Sequence, residues 1–218
     1  MRKPQSVDAL VKFGRIRLSR SFFMRDFLFS DIAAVKGFSN IPDDPAVAVE
    51  AGTQLCEQLL EPLQNVFGRI AVRSAYRSAE VNGFGAINKL NCASNAANAG
   101  GHIWDMRRAD GGIGATACIV VPSFWDAFHA RGDWRKLAWW IHDHLPYSSM
   151  SFHPEYWAFN LTWSDTPERT IFSYPAPGGY LTRPGMANHV GSHEADWRGV
   201  IETIAANKLL SPWTGISA

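Results

Sequence analysis

The stretch LCEQLLEPLQNVFGRIAVRSAYRS, Leu55 to Ser78, decides how the rest of the chain is read. Its first half sets Leu55, Cys56, Leu59, Leu60, Leu63 and Phe67 three and four residues apart, which stacks apolar side chains on one helix face. Val49 carries the stripe backwards, so the spacing predicts a helix over about 46–67, and Gly68 stops it. Cys56 falls on the stripe and reads as a core residue. Past the glycine, RIAVRSAYRS alternates apolar and polar residues, the period of a strand.

Working outward, SDIAAVKG reads as a short helix, with Ser30 or Asp31 as its cap and Gly37 in the left-handed position after its end. IPDDP then breaks the chain. Residues 1–24 carry scattered basic side chains among aromatics and read as a solvated arm, with an interaction tail as the other reading. Downstream, residues 83–114 are rich in Gly, Asn and Ala, and a loop of that length inside a domain is more often functional than idle. ATACIVVP is the next strand, ended by Pro122. Helices follow at about 123–131 and 133–144; in the second, Trp134, Leu137, Ala138, Ile141 and Leu145 face inward and leave His142 and His144 exposed. Strands at about 148–153, 156–163 and 169–174, joined by the turns HPE and SDTPE, suggest an antiparallel meander. PAPGGYLTRPGMANHVG looks like a linker, and an amphipathic helix over about 192–208 packs Trp197, Val200, Ile201 and Ile204. Helices ahead of strands, with a late meander, give an α+β class.

With 218 residues, 46% of them apolar and nine tryptophans, the chain has the material for one packed core. A formal charge of +1 offers no electrostatic case for nucleic acid. Cys56, Cys92 and Cys118 are odd in number and irregularly spaced, which argues against a disulfide framework and for a reducing compartment. MRKPQSVDALVKFG has no apolar run for export, and no segment nears the roughly 18 apolar residues of a membrane span. The expectation is a cytoplasmic protein without a membrane partner, of unassigned oligomeric state; release by lysis, as for a phage protein, is the other route. There is no G-x-S-x-G elbow, phosphate loop, dinucleotide fingerprint or C-x-x-C pair.

Taken in order, FLFSDIA, GFSNIPDD, the helix running into SAYRS, EVN, LPYSSM and EYWAFNLTW resemble segments of the zinc D-Ala-D-Ala carboxypeptidase family, whose fold is shared with the hedgehog signalling domain. The resemblance covers roughly residues 25–163, and the helix-plus-SAYRS segment is its most specific part. It implies a hedgehog/DD-peptidase-like α+β fold: an antiparallel sheet flanked by helices over 25–175, preceded by the basic arm 1–24. Residues 176–218 would add a linker and an extra C-terminal helix.

In that family, zinc is held by a histidine, an aspartate and a second histidine, a glutamate activates the bound water, and the arginine of the Y-R-S segment steadies substrate. Carried over, Arg77 matches the arginine and His102 the first histidine. Cys118 falls on the aspartate, with IWDMRRADGGI inserted between it and His102. The last strand has two registers: one keeps Glu155 as base and puts Ala158 on the final histidine, and the other puts His153 on the glutamate and Phe159 on that histidine. Both lose the final ligand. The implied site is therefore degenerate, with no cofactor. A rearranged zinc set of His102, Cys118 and His153, with Asp105 or Asp110 as alternatives, is the competing reading. Tyr76, Arg77, Trp104 and Trp157 are expected to line the cleft.

The resulting expectation is a divergent member that binds a peptide, a muropeptide-like ligand or a protein partner in the old cleft. The alternatives are an active zinc peptidase or amidase on cell-wall peptides and a structural or assembly module. Each residue also has a plain reading: Cys118 as a small core residue, Asp105 and Asp110 as solvated turn residues beside Arg107 and Arg108, and the tryptophans as packing.

Overall fold

The computed structural model describes residues 1–210. Helix α1 (Val7–Gly14) starts on Ser6, whose hydroxyl accepts from Ala9 N. Helix α2 (Asp31–Lys36) is capped by Ser30 and closed by Gly37 at φ +73°, as the sequence predicts. Helix α3 (Pro45–Leu55) begins with Asp44 accepting from Ala46 N and Val47 N, and with Pro45 in the first turn, where no N–H is needed. It runs through a single π turn, Cys56–Leu60, into α4 (Glu61–Phe67). Pro62 explains that turn: it has no N–H for the carbonyl one turn back, and its ring crowds that carbonyl, so the helix widens there. Strand β1 (Ala71–Ser74) follows Gly68, whose φ is +81°.

Next come α5 (Ala79–Ile87), α6 (Asn95–Asn98), β2 (Gly114–Val120), α7 (Pro122–Phe128) and α8 (Arg135–His144). Strands β3 (Ser149–Phe152), β4 (Phe159–Ser164), β5 (Thr170–Ser173) and β6 (Gly179–Thr182) complete one sheet, and α9 (Glu194–Trp197) and α10 (Val200–Leu210) close the described chain. The class is α+β, with the strands in the order β1-β2-β4-β3-β5-β6.

That order corrects the expected antiparallel meander, because β3 pairs with β5 in parallel. Strand β4 already has β2 on one edge and β3 on the other, so the returning chain takes the free edge of β3 and runs beside it in the same direction. Strand β6 occupies what the sequence gives as linker. It is an edge strand with only Thr182 buried, so it carries no apolar alternation to betray it.

Three further corrections have local causes. Residues 1–24 are no solvated arm: Phe13, Leu18, Phe22 and Met24 lie in the main core, while Glu61 accepts from Ser19 Oγ and Ser21 N and fastens the segment to α4. The long loop at 83–114 contains the end of α5 and all of α6; Gly85 is small because Cys92 Sγ and Ile32 press against it. The last helix is two, broken at Gly199 (φ +80°), with Val200 and Ile204 buried and Ile201 exposed.

The core lies on one side of the sheet. Ala115, Ala117 and Ile119 of β2 and Phe159 and Leu161 of β4 point there, against α3, where Ala48, Ala51 and Leu55 are fully buried. Gly52 of α3 gives room to the Trp104 ring, since a Cβ there would lie 2.7 Å from Trp104 Cζ3.

Candidate functional site

Because side chains alternate along a strand, the other face of the sheet is fixed by the same registers. It carries Thr116 and Cys118 from β2, Asn160 and Thr162 from β4, and Ser149 and Ser151 from β3. One rung across the sheet is Cys118–Asn160–Ser151, and the next is Thr116–Thr162–Ser149. Within these rungs Asn160 Nδ2 donates to Ser151 Oγ at 3.1 Å, and the Thr116 and Thr162 hydroxyls share a hydrogen bond of 2.8 Å. The apolar face is buried and the polar face is open, so the sheet makes a hydroxyl- and amide-lined floor.

The loop at 97–102 arches over the start of β2 and turns this floor into a cleft of about 550 Å³. Its seam is tight: Thr116 N donates to Gly101 O at 3.0 Å, and Gly114 lies against Gly100 O with no space for a side chain. The loop is held from behind by amides, Asn98 Nδ2 donating to Asn82 Oδ1 at 2.7 Å and Asn82 Nδ2 donating to Ala93 O at 3.0 Å.

His102 is the one imidazole that lines the cleft among the described residues, and it is 6% exposed. Its Nδ1 is 2.6 Å from Ala75 O. Burial, followed by the charge of Arg77, pushes the imidazole down to about 4, so it is neutral at physiological pH. A neutral ring bonded to a carbonyl through Nδ1 must carry its proton there, which leaves Nε2 as an acceptor beside the Asn160 amide. Cys118 sits on the next strand. Burial raises its thiol, against the opposing charges of Arg73 and Arg77, so it is a thiol and not a thiolate at neutral pH.

The other expected site residues fall in different places. Arg77 is not part of the cleft wall; its N–H donates to His102 O at 2.8 Å and its guanidinium to Cys92 Sγ at 3.3 Å. His153, at the end of β3, is stacked on Tyr174 with ring centroids 5.1 Å apart. Glu155 is exposed on the turn before β4, away from the cleft lining. Asp105 accepts from Asp43 N at 2.6 Å and Asp44 N at 3.2 Å, binding its loop to the start of α3. Asp110 is at the cleft rim, paired with Arg108 at 3.2 Å.

Tyr76, Trp104 and Trp157 do not line the cleft. Tyr76 and Trp104 are fully buried on the core side, with Trp104 Nε1 donating to Thr116 O at 3.1 Å, and Trp157 packs on Phe124 and Trp125. Ala158 and Phe159 are buried too, and the β4 residue that faces the cleft opposite Cys118 is Asn160. Sequence reading missed it by starting the strand at 156. With the start at 159, the alternation Phe159, Leu161, Trp163 against Asn160, Thr162, Ser164 is plain. His142, expected to be exposed, is buried, with Nδ1 2.6 Å from Tyr147 Oη and Nε2 3.0 Å from His189 O.

As a zinc site, the cleft wall supplies one imidazole, His102, the carboxamides of Asn98 and Asn160, and the carboxylates of Asp110 and Glu168; Cys118 is on the same sheet face but outside that wall. A catalytic zinc needs three protein donors, and no three His, Cys, Asp or Glu side chains converge among the described residues. The residues present do not fit that ion, and no chemical step is assigned to it.

No protein-family model matches the chain, and neither the curated proteins nor the solved structures contain a match to it.

Proposed function

We propose that the protein is a binding module: a divergent DD-peptidase-like domain with a degenerate metal site, whose cleft holds a short peptide, a muropeptide-like stem or an extended segment of a protein partner. The observation that carries this reading is the hydroxyl- and amide-lined face of β2, β4 and β3 beneath the loop at 97–102, with His102 as its one buried imidazole. Ser, Thr and Asn side chains both donate and accept, which suits the alternating N–H and C=O of an extended peptide. Among the described residues the cleft wall has no aromatic ring besides His102, and a flat stacking platform is what a sugar-first site would want. General acid–base chemistry has little support here, since burial makes the neutral His102 imidazole a weak base with no second proton to give near pH 7, and Glu155 is outside the cleft wall.

Calorimetric titration with blocked tri- and tetrapeptides and with soluble muropeptides tests the reading. Asn160→Ala should weaken binding by about fivefold to a hundredfold, the cost of leaving a buried ligand group unpaired. Undiminished binding by that variant would place the ligand elsewhere.

A further inference from the structure

The charges around the cleft are unevenly placed, and this deepens the peptide-binding reading on which it rests. At one end stands Arg108, whose two terminal nitrogens both have acceptors. One nitrogen donates to Ile113 O at 3.0 Å and to Ser164 Oγ; the other donates to Asp165 at 2.7 Å, to Asp110 at 3.2 Å and to Thr166 Oγ1. Hydrogen bonds from Ile113 N and Arg108 hold the Asp165 carboxylate below its ordinary range despite the opposing effect of partial burial, so both partners of Arg108 are ionised at neutral pH. Glu168 lines the same end, is exposed, and makes no ion pair among the described residues; its backbone N–H is tied to Ser148 Oγ at 3.2 Å. Arg108 is thus paired with two carboxylates, Asp110 and Asp165, and Glu168 adds a third, in the cleft wall, with no ion pair among the described residues. At the other end His102 is uncharged, and Arg73 and Arg77 stand beyond Cys118 outside the cleft wall.

The polar floor connects the two ends. His102 adjoins the Asn160–Ser151 rung, and Glu168 lies past the Thr162–Ser149 rung, next to Ser148. Neighbouring rungs on one face are two residues, or about 7 Å, apart, so the run spans on the order of 10–14 Å, three to four residues of extended peptide.

We infer that the cleft takes a short peptide by its amino end: a ligand ammonium sits at Glu168, and the chain runs along the Ser, Thr and Asn rows to His102, whose Nε2 accepts an N–H. An ammonium suits the acidic end, which offers an unpaired acceptor and, among the described residues, no free donor cation. A neutral imidazole with its proton committed to Ala75 O can only accept, so the ligand must present a donor to it.

The test compares two tripeptide amides of one sequence, Ala-Ala-Ala-amide with a free amino group and its N-acetylated form. Both are titrated by NMR into the parent protein and into Glu168→Gln. The free amine should bind about two- to fivefold tighter at low salt, the range of an exposed ion pair, and the preference should shrink at high ionic strength. Glu168→Gln should bind the acetylated peptide as the parent does and lose the preference. Equal or tighter binding of the acetylated peptide, or a preference that survives in Glu168→Gln, overturns the inference while leaving the cleft a peptide site. Failure of both peptides to bind overturns the inference and the peptide-binding reading together.

Discussion

Replacing His102 by Asn, and following stability against pH, tests the geometry at the heart of the cleft. In the folded chain His102 is 6% exposed, with Nδ1 committed to Ala75 O, and it takes up its second proton only near pH 4, whereas an unfolded histidine does so near 6.5. Between those values the unfolded chain binds more protons, so stability falls as pH falls. The contribution is complete above about 6.5 and lost by about 4. At 1.36 kcal/mol per pH unit, the interval is worth about 3 kcal/mol. The carboxamide in His102→Asn can still donate toward the carbonyl but cannot titrate. Burial also lowers His142 and His153, but they are present in both proteins and cancel in the difference. Urea denaturation at half-unit steps from pH 7.5 to 3.5 should show the advantage of the parent over the variant shrinking by about 3 kcal/mol toward low pH. The His102 Cε1–H resonance should stay unshifted down to about pH 5. Parallel stability curves, or a resonance that titrates near 6.5, would show that this imidazole is neither buried nor held as described.

Two other perturbations probe the frame around the cleft. Gly114→Ala puts a Cβ against Gly100 O and within 2.8 Å of Trp163 O, both backbone atoms that cannot swing aside. It should cost about 1–3 kcal/mol in thermal unfolding and raise amide exchange at Thr116, whose N–H bonds Gly101 O. Asp143 accepts from His193 N, His193 Nδ1 and Trp197 Nε1 at 2.7–2.8 Å; burial alone would raise it, but these bonds outweigh that and hold it below the ordinary carboxylate range. Asp143→Ala should release the segment at 183–198 from α8, seen as earlier proteolysis there and a melting temperature lower by about 6–12 °C, from roughly 3 kcal/mol of lost hydrogen bonding.

Elements whose pattern is set by local chemistry were readable in the sequence. The apolar stripe from Val49 to Phe67, the cap at Ser30 and the αL glycine at Gly37 need no knowledge of the rest of the chain. Strand β2 was readable as an apolar run, but its two faces were not, because alanines and a glycine carry little contrast between core and cleft. The path of β5 depends on β2 having taken the far edge of β4, a long-range fact that no window of residues contains. The cleft was half legible. His102 and Cys118 stand out in the sequence and both adjoin the polar face, whereas Asn160 was hidden by a three-residue error in where β4 begins. Tyr76, Trp104 and Trp157 look alike in sequence whether they line a cleft or fill a core; burial decides it, and here all three fill the core.

The most direct test of the account is amide chemical-shift mapping of the 15N-labelled protein with Ala-Ala-Ala-amide, repeated in the presence of a chelator. The account predicts shifts clustered in β3, β4 and the loop at 97–102, unchanged by chelation. It is contradicted by shifts confined to residues away from that cleft, by no shifts at millimolar peptide, or by binding that appears only when zinc is added.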